Sequence, residues 1–487
     1  MIAAKGLLGS AAFSSGATFL SRVIGLFSTL LLARILTPSD FAMIAIIAIV
    51  LHLFDILSHT GSEPYIVQKS TVQEADLNTA WTLDILLKTA MFAVLLVIAP
   101  FVASFFEQAH LSVALQVAAV ALVINALKNP GLLLLKRELD YKRVFYLSLI
   151  QRIVSFVTVV LVALNWQSYW AFVIADIAGA LVFTVGSYAV HHFRPSPGLY
   201  KVAVQWQFSR WLLGKSIIGY CRSQIDTVIV AKFFSVGQLG NYHMARDVAM
   251  LPGHNLLGPA IEPLLANFKD YKSLPDELGV RVSKSLCIVA LIVVPITAYM
   301  ASYPQVIVDV LLGVQWQLAG EILGIMSWLF FYYCFLLVIE SALTAVGKVR
   351  SIFMFDMLSL ILIAGCLIAY LQVSHDLHAL LVLRVLVGIA STLIIGIALH
   401  RYVPLRFWRI GGALIFAAVL SLIALYLAHL LQNVLLVGPL AQLLLSGATF
   451  CFTYLALLLV FLPLCLGTNL RAMLIEYRQL KNARSDT

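Results

Sequence analysis

The sequence predicts an all-α polytopic membrane protein with about 14 transmembrane helices. Composition, loop charge and an internal repeat support this prediction. Of the 487 residues, 62% are hydrophobic and only 11% are charged, whereas an average soluble domain is roughly 25% charged. A soluble chain of this length would need more charge on its surface. A cytosolic enzyme, a secreted disulfide scaffold and a disordered chain are therefore excluded.

Fourteen helical spans of about 20 residues each are predicted, and all but the first, seventh and eighth are apolar enough to stand alone in the bilayer. They are residues 11–36, 41–59, 78–101, 111–126, 145–164, 169–190, 211–234, 240–263, 282–300, 320–346, 352–371, 378–399, 411–431 and 437–464. The first, seventh and eighth carry charges in mid-span, so we expect them to line a polar interior. Residues 304–313 are apolar but too short to span, and we expect a short interfacial helix there on the outer side.

Lysine and arginine residues predict the orientation of the chain, because they collect in cytoplasmic loops. Of 32 basic residues, 23 lie in the N-terminal segment, the C-terminal tail and every second loop, while the other seven loops hold none. Both termini are therefore expected in the cytoplasm. The first apolar segment contains Arg22 and Arg34 and is too long for a cleavable signal peptide. The net charge of +9 mostly reflects this topology, and no nucleic-acid partner is expected.

An internal repeat predicts two lobes. Residues 33–42 and 231–240 align without gaps at an offset of 198 residues. Six predicted helices separate the copies, so both begin on the same side of the membrane, as in a parallel repeat. We therefore predict an N-terminal six-helix lobe, a C-terminal six-helix lobe, two additional transmembrane helices and a basic cytoplasmic tail. The respective ranges are residues 1–200, 201–400, 401–466 and 467–487.

Nine basic residues remain inside the predicted spans. They are Arg22, Arg34, Lys88, Arg152, Lys215, Arg222, Lys232, Arg246 and Arg384. A basic residue facing lipid at mid-helix costs about 2.5–3.5 kcal/mol on insertion scales. Arg34, Arg152 and Lys232 lie toward span ends, where their side chains can extend to the interface. Arg384 is left unassigned.

The mid-span group indicates an anionic substrate. Lys215, Arg222 and Asp226 fall within about 60° of one another on the seventh helix, and Arg22 and Arg246 lie on similar polar stripes of the first and eighth. Guanidinium groups bind phosphate through paired hydrogen bonds. The predicted lining of the substrate cavity is Arg22, Lys88, Lys215, Arg222 and Arg246.

Acidic residues in the spans are candidates for binding a coupling proton or sodium ion. The candidates are Asp84, Asp226 and Asp247, with Asp226 the best placed. A structural alternative is ion pairing at i, i+4, between Arg222 and Asp226 and between Asp84 and Lys88. The six cysteines show no CxxC spacing and the histidines form no ligand set, so no metal site or disulfide is predicted.

Several segments resemble the polysaccharide transporter family, the Wzx-type lipid-linked oligosaccharide flippases of the MOP superfamily. They are LLARILTPSDFAMIAI (31–46), LLLKRELDYKR (133–143), SYWAFVIADIAGALV (168–182), FRPSP (193–197), residues 224–268 and PQVIVDVLLGVQWQLAGEIL (304–323). The resemblance is greatest to exporters of colanic-acid type. Ala42 departs from the family pattern, which has Gly after the aromatic residue, and HTGSEP (59–64) is more polar than usual.

The resemblance implies a multi-pass protein of the bacterial inner membrane that works by alternating access. Its implied substrate is a polyprenyl-pyrophosphate-linked oligosaccharide, whose head enters the cationic cavity while its lipid tail stays in the bilayer. Implied partners are membrane lipids and other polysaccharide assembly proteins, and an ion gradient is the implied energy source. The chain contains no nucleotide-binding GxxxxGK[ST] motif and needs no other cofactor.

Three alternatives stay open. A multidrug exporter of the same superfamily would favour an acidic cavity, and a peptidoglycan-precursor flippase would share both fold and substrate chemistry. A membrane oligosaccharide polymerase belongs to a different class and typically needs a sizeable outer loop, which the predicted topology lacks.

Overall fold

The structure, a computed structural model, describes residues 16, 20–21, 23–59, 61–69, 71–138, 140–200, 202–434 and 438–466. In the N-terminal half the helices are α1 Val23–Ala33, α2 Pro38–Leu57, α3 Ser62–Gln68, α4 Glu74–Phe105, α5 Leu111–Ala118, α6 Val120–Ala126, α7 Gly131–Arg137, α8 Tyr141–Trp166 and α9 Trp170–Val190.

In the remainder of the chain the helices are α10 Val202–Phe233, α11 Val236–Pro252, α12 Gly258–Ile261, α13 Leu264–Asp270, α14 Pro275–Ser302, α15 Pro304–Leu311, α16 Gln317–Ala345, α17 Val349–Leu371, α18 Leu377–His400, α19 Phe407–Val434 and α20 Pro439–Leu466. The all-helical prediction is confirmed for the described residues, and the short helix expected near residues 304–313 is α15.

Ten described helices are long and apolar enough to cross a membrane, or eleven if the bent pair Leu111–Ala126 and Gly131–Arg137 forms one span. A helix lies at each of the fourteen predicted segments. The two counts differ for physical reasons. The described part of α1 is short, while α10 and α11 carry several charges. A chain with ten such helices is a multi-pass membrane protein.

The two sequence repeats have the same local structure. Thr37 caps α2 and exchanges hydrogen bonds with Asp40, and Ser235 caps α11 and exchanges them with Gln238. Each pair is a capping box, which satisfies donors at the start of the helix from both sides. The offset of 198 residues thus aligns two helix N-termini that have the same kind of cap.

The two capped helices, α2 and α11, pack along each other and join the two halves of the chain. Gly240 lies directly against the backbone of Pro38, where a Cβ atom would collide with the Pro38 carbonyl. Tyr220 of α10 donates a hydrogen bond of 2.9 Å to the carbonyl of Ile49 in α2. The halves therefore meet through backbone contacts as well as side chains.

The end of the molecule that holds these capped turns, called here the turn end, is closed by further contacts between the halves. Trp316 donates from Nε1 to the carbonyl of Ala33 at 2.8 Å, and Arg34 donates from Nη2 to the carbonyl of Val310 at 2.6 Å. Lys232 donates to Glu107 at 2.7 Å, which holds the pKa of the Glu107 carboxyl below its usual value. The last carbonyls of α1 thus find donors in the C-terminal half.

Candidate functional site

A polar cleft lies between the two halves. Helices α1 and α8 form one wall, and α11 with the turn that follows it forms the other, enclosing about 590 Å³. Its polar lining is Ser21, Thr29, Ser148, Arg152, Asp247, His254 and Asn255. We call this space the central cleft.

The turn on the α11 side of the central cleft is a π-helical segment, Gly253–Leu257, directly after Pro252. Proline cannot donate a backbone hydrogen bond, and π turns commonly occur where a helix is interrupted. The regular α-helix therefore ends at Pro252, and the chain turns through Gly253. His254, in this turn, lines the central cleft and also a smaller cavity of about 280 Å³ beside Tyr333 of α16.

Asp226 lies in a separate, closed cluster within the C-terminal half. Its carboxylate is 2.8 Å from Nε of Arg384 and 3.6 Å from Nη1 of Arg246, and its side chain is 1% exposed. Arg384 also donates to the hydroxyl of Tyr332 at 2.8 Å. Arg246 donates to Thr227 at 2.5 Å and to the backbone carbonyl of Ser223.

The geometry of the Asp226 cluster depends on close packing around Tyr332. Gly388 lies one turn beyond Arg384 on α18, and a Cβ atom there would collide with the Tyr332 ring. The absence of that atom lets the ring pack against α18. In this cluster two guanidinium groups compensate the charge of one carboxylate. Asp226 therefore has little capacity to bind another cation.

Arg222 belongs to a third group, between α10, α16 and α17. Its Nε is 2.9 Å from Asp356 and its Nη2 is 3.6 Å from Glu340. Arg222 and Asp226 share a helix, but each is paired with residues of other helices. Lys215, seven residues or two turns earlier on α10, is partly exposed and has no ion-pair partner among the described residues.

Lys88 and Asp84 line a large cavity inside the N-terminal half, with a volume of about 1010 Å³. Lys88 is 3.7 Å from Asp55. Asp176 and Lys128 line the same cavity. Because acidic and basic groups alternate around it, this cavity has no uniform cationic character.

The structure therefore does not bring the predicted substrate residues together in one place. Arg246, Arg222 with Lys215, and Lys88 lie in three groups, and Arg22 lies outside the described residues. Of the predicted coupling residues, Asp226 is in the closed cluster, Asp84 lines the N-terminal cavity and Asp247 lines the central cleft.

The structure gives two arginines surroundings that the sequence analysis does not predict. Arg384 was left unassigned, although an arginine in an otherwise apolar helix is itself a signal of a functional or structural site. Arg152 was expected to extend to the interface, but it lines the central cleft. The signal that could have identified it is the start of its helix, since α8 begins at Tyr141 and not at 145.

Comparison with known proteins gives consistent matches. The profile of the family described as "Polysaccharide biosynthesis protein" matches residues 31–321, more than half of the chain. The "Lipopolysaccharide biosynthesis protein WzxC" of Escherichia coli (strain K12) is 22% identical over 64% of this chain and 64% of its own length. The "Succinoglycan biosynthesis transport protein ExoT" of Rhizobium meliloti (strain 1021) is 21% identical over 61% of this chain and 60% of its own length.

The chain thus aligns with less than two thirds of either relative. The match to a solved structure covers more of the chain. "Lipid II flippase MurJ, inward closed conformation" has a TM-score of 0.75 at 14% identity, covering 93% of this chain and 100% of that one. At this level of identity, the similarity shows the fold alone.

Proposed function

Because the chain belongs to the polysaccharide biosynthesis protein family, we propose that it is a flippase of the cytoplasmic membrane, and a transporter rather than an enzyme. Its substrate is a polyprenyl-pyrophosphate-linked oligosaccharide, which it moves from the cytoplasmic face to the outer face for polysaccharide assembly. The name of one relative, a transport protein for succinoglycan biosynthesis, supports this reading.

The central cleft is the observation that carries the proposal. Sugars and phosphates cannot cross hydrocarbon unaided, because every polar group buried without a partner costs several kcal/mol. A cleft lined by hydroxyl, amide, imidazole and guanidinium groups, between long apolar helices, offers those partners. The lipid tail can stay in the bilayer beside it.

We further propose that residues 1–200 and 201–400 act as two six-helix lobes, with residues 401–466 as additional helices and fourteen spans in all. Both termini, including the tail 467–487, then lie in the cytoplasm, and the turn end lies at the outer face. The lobes rock about the fixed cleft in alternating access. The closed turn end corresponds to a state shut toward the outside.

For energy coupling to a proton or sodium gradient, Asp84 and Asp247 are better candidates than Asp226. Asp226 is held between two guanidinium groups, whereas the side chain of Asp247 is 51% exposed in the central cleft. Other polysaccharide assembly proteins are proposed as partners, because the substrate must be made on one face and consumed on the other.

The test is a cell whose surface polysaccharide depends on this protein. Depletion should leave lipid-linked oligosaccharide at the cytoplasmic face. Asn255→Ala, which removes an amide from the central cleft, should slow its arrival at the outer face about fivefold, the effect of one neutral hydrogen bond, with the protein level unchanged. Asn267→Ala, the same loss of an amide on α13 and outside the cleft, is the control. Undiminished transfer after depletion would disprove the function.

A further inference from the structure

Arg152 lies nearer the middle of its helix than the predicted span 145–164 places it. It lies eleven residues after Tyr141, the first residue of α8, which corresponds to about 16 Å along the helix. The 26-residue helix is about 39 Å long. Arg152 therefore lies in its middle third, where an arginine is costly unless it faces protein or water.

The side chain of Arg152 is exposed and lines the central cleft. Arg222, Arg246 and Arg384 each lie within 4 Å of a carboxylate. Arg152 has no ion-pair partner among the residues that the structure describes.

The lining of the central cleft near Arg152 holds several neutral donors for an anionic ligand, together with one carboxylate, Asp247. Ser148 lies one turn away on the same helix, Thr29 comes from α1 on the same wall, and Asn255 comes from the turn after α11 on the opposite wall. Hydroxyl and amide groups donate to phosphate or carboxylate oxygens, and the guanidinium group adds paired, charge-assisted bonds. These donors come from both halves of the chain, so a ligand bound here contacts both.

We propose that Arg152 is the cleft residue that binds an oxyanion of the transported molecule. This assignment rests on the proposed function, and it names the anion-binding residue of that site. Two sources share the required chemistry: the pyrophosphate of the lipid carrier and a carboxylate of an acidic sugar. Binding to either would give Arg152 a close oxyanion contact, which no carboxylate among the described residues makes within 4 Å.

The experiment uses the full chain in lipid nanodiscs, with polyprenyl pyrophosphate and a soluble uronic-acid oligosaccharide as separate probes. Arg152→Gln should weaken binding of one probe about ten- to a hundredfold, the range of one charge-assisted hydrogen bond. Arg152→Lys, which keeps the charge but loses the paired geometry, should fall between. Arg143→Gln is the matched control, because Arg143 is on the same helix and pairs with Asp140 at 3.4 Å.

The outcomes distinguish the carrier pyrophosphate from the sugar carboxylate, and the role of Arg152 from the proposed flippase function. A loss confined to polyprenyl pyrophosphate identifies the carrier phosphate, and a loss confined to the oligosaccharide identifies the sugar carboxylate. Unchanged binding of both by Arg152→Gln, with a normal unfolding temperature, overturns the role of Arg152 and leaves the flippase proposal standing. Failure of the unaltered protein to bind either probe counts against the proposed function itself.

Discussion

At the scale of single residues, the Asp226 cluster shows how this chain stabilises charges in its interior. A carboxylate that is 1% exposed lies between Arg384 and Arg246. Such a group is stable only because its partners compensate for the water it has lost. Removing the partner of a buried charge costs more than the pair contributes, because a bare charge stays behind.

Asp226→Asn should therefore destabilise the protein by about 3–5 kcal/mol, with a large loss of folded protein after detergent extraction. The reason is that Arg384, 7% exposed, would be buried without a counter-charge. Thermal unfolding of the purified protein measures the change.

Adding Arg384→Gln to Asp226→Asn should recover part of the stability, because both charges then leave together. Asp309→Asn, which removes a carboxylate from the short helix α15, is the control. A fully stable Asp226→Asn variant would contradict the structural role of the cluster.

At the scale of helices, the sequence predicts where each helix lies along the chain better than which helices contact one another. Apolar length is a local property, so a helix is found at each predicted segment, and the repeat offset locates two helix starts with equivalent caps. The pairing of Asp226 with Arg384 joins residues 158 positions apart. Such pairings depend on how α10 and α18 pack, which a single sequence does not specify.

The same limit applied to the candidate site. Charged residues within the spans indicate where polar groups lie in the membrane, but spacing along one helix does not give their partners. The i, i+4 spacing suggests that Arg222 pairs with Asp226, whereas the structure pairs it with Asp356. For Arg152, the position in the cleft depends on how α1, α8 and α11 are arranged around it, which a single sequence does not specify.

Gly240→Ala tests the contact between α2 and α11. The added Cβ would collide with the Pro38 backbone, and overpacking of this kind costs about 1–3 kcal/mol. We expect a lower unfolding temperature. Gly237→Ala is the matched control on the same helix, since no atom lies within 4 Å of its Cβ position. Equal unfolding temperatures for the two variants would rule out a tight α2–α11 junction.

At the scale of the whole molecule, the two halves are held together at the turn end and enclose a polar space between them. Under the proposed function, alternating access requires the turn-end contacts to break and re-form, because one arrangement cannot admit a ligand from both sides. Contacts such as Lys232 with Glu107 would then differ between the two states.

Under the proposed function, crosslinking Glu107→Cys to Lys232→Cys with a reducible bis-methanethiosulfonate reagent, whose spacer replaces the length of the two lost side chains, should stop transfer in a background without the native cysteines. It would fix the turn end in its closed state, and a reductant should restore activity. Export of lipid-linked oligosaccharide measures the effect.

The control is the same crosslink between Glu63→Cys and Lys136→Cys. The charged atoms of these two accessible side chains lie 2.6 Å apart, within the N-terminal half, so transfer should continue. Continued transfer with the turn end crosslinked would show that opening there is not required.

The Asp226 cluster also bears on how membrane voltage acts. Two arginines and one carboxylate carry one net positive charge. When a unit charge crosses the whole membrane, its electrostatic free energy changes by about 2.3 kcal/mol per 100 mV. A shift through a tenth of the membrane thickness therefore changes it by only about 0.2 kcal/mol. Rocking of the C-terminal half would therefore be almost insensitive to voltage at this position. Under the proposed function, voltage acts chiefly on the anionic headgroup, and a negative cell interior assists its outward transfer and opposes its return.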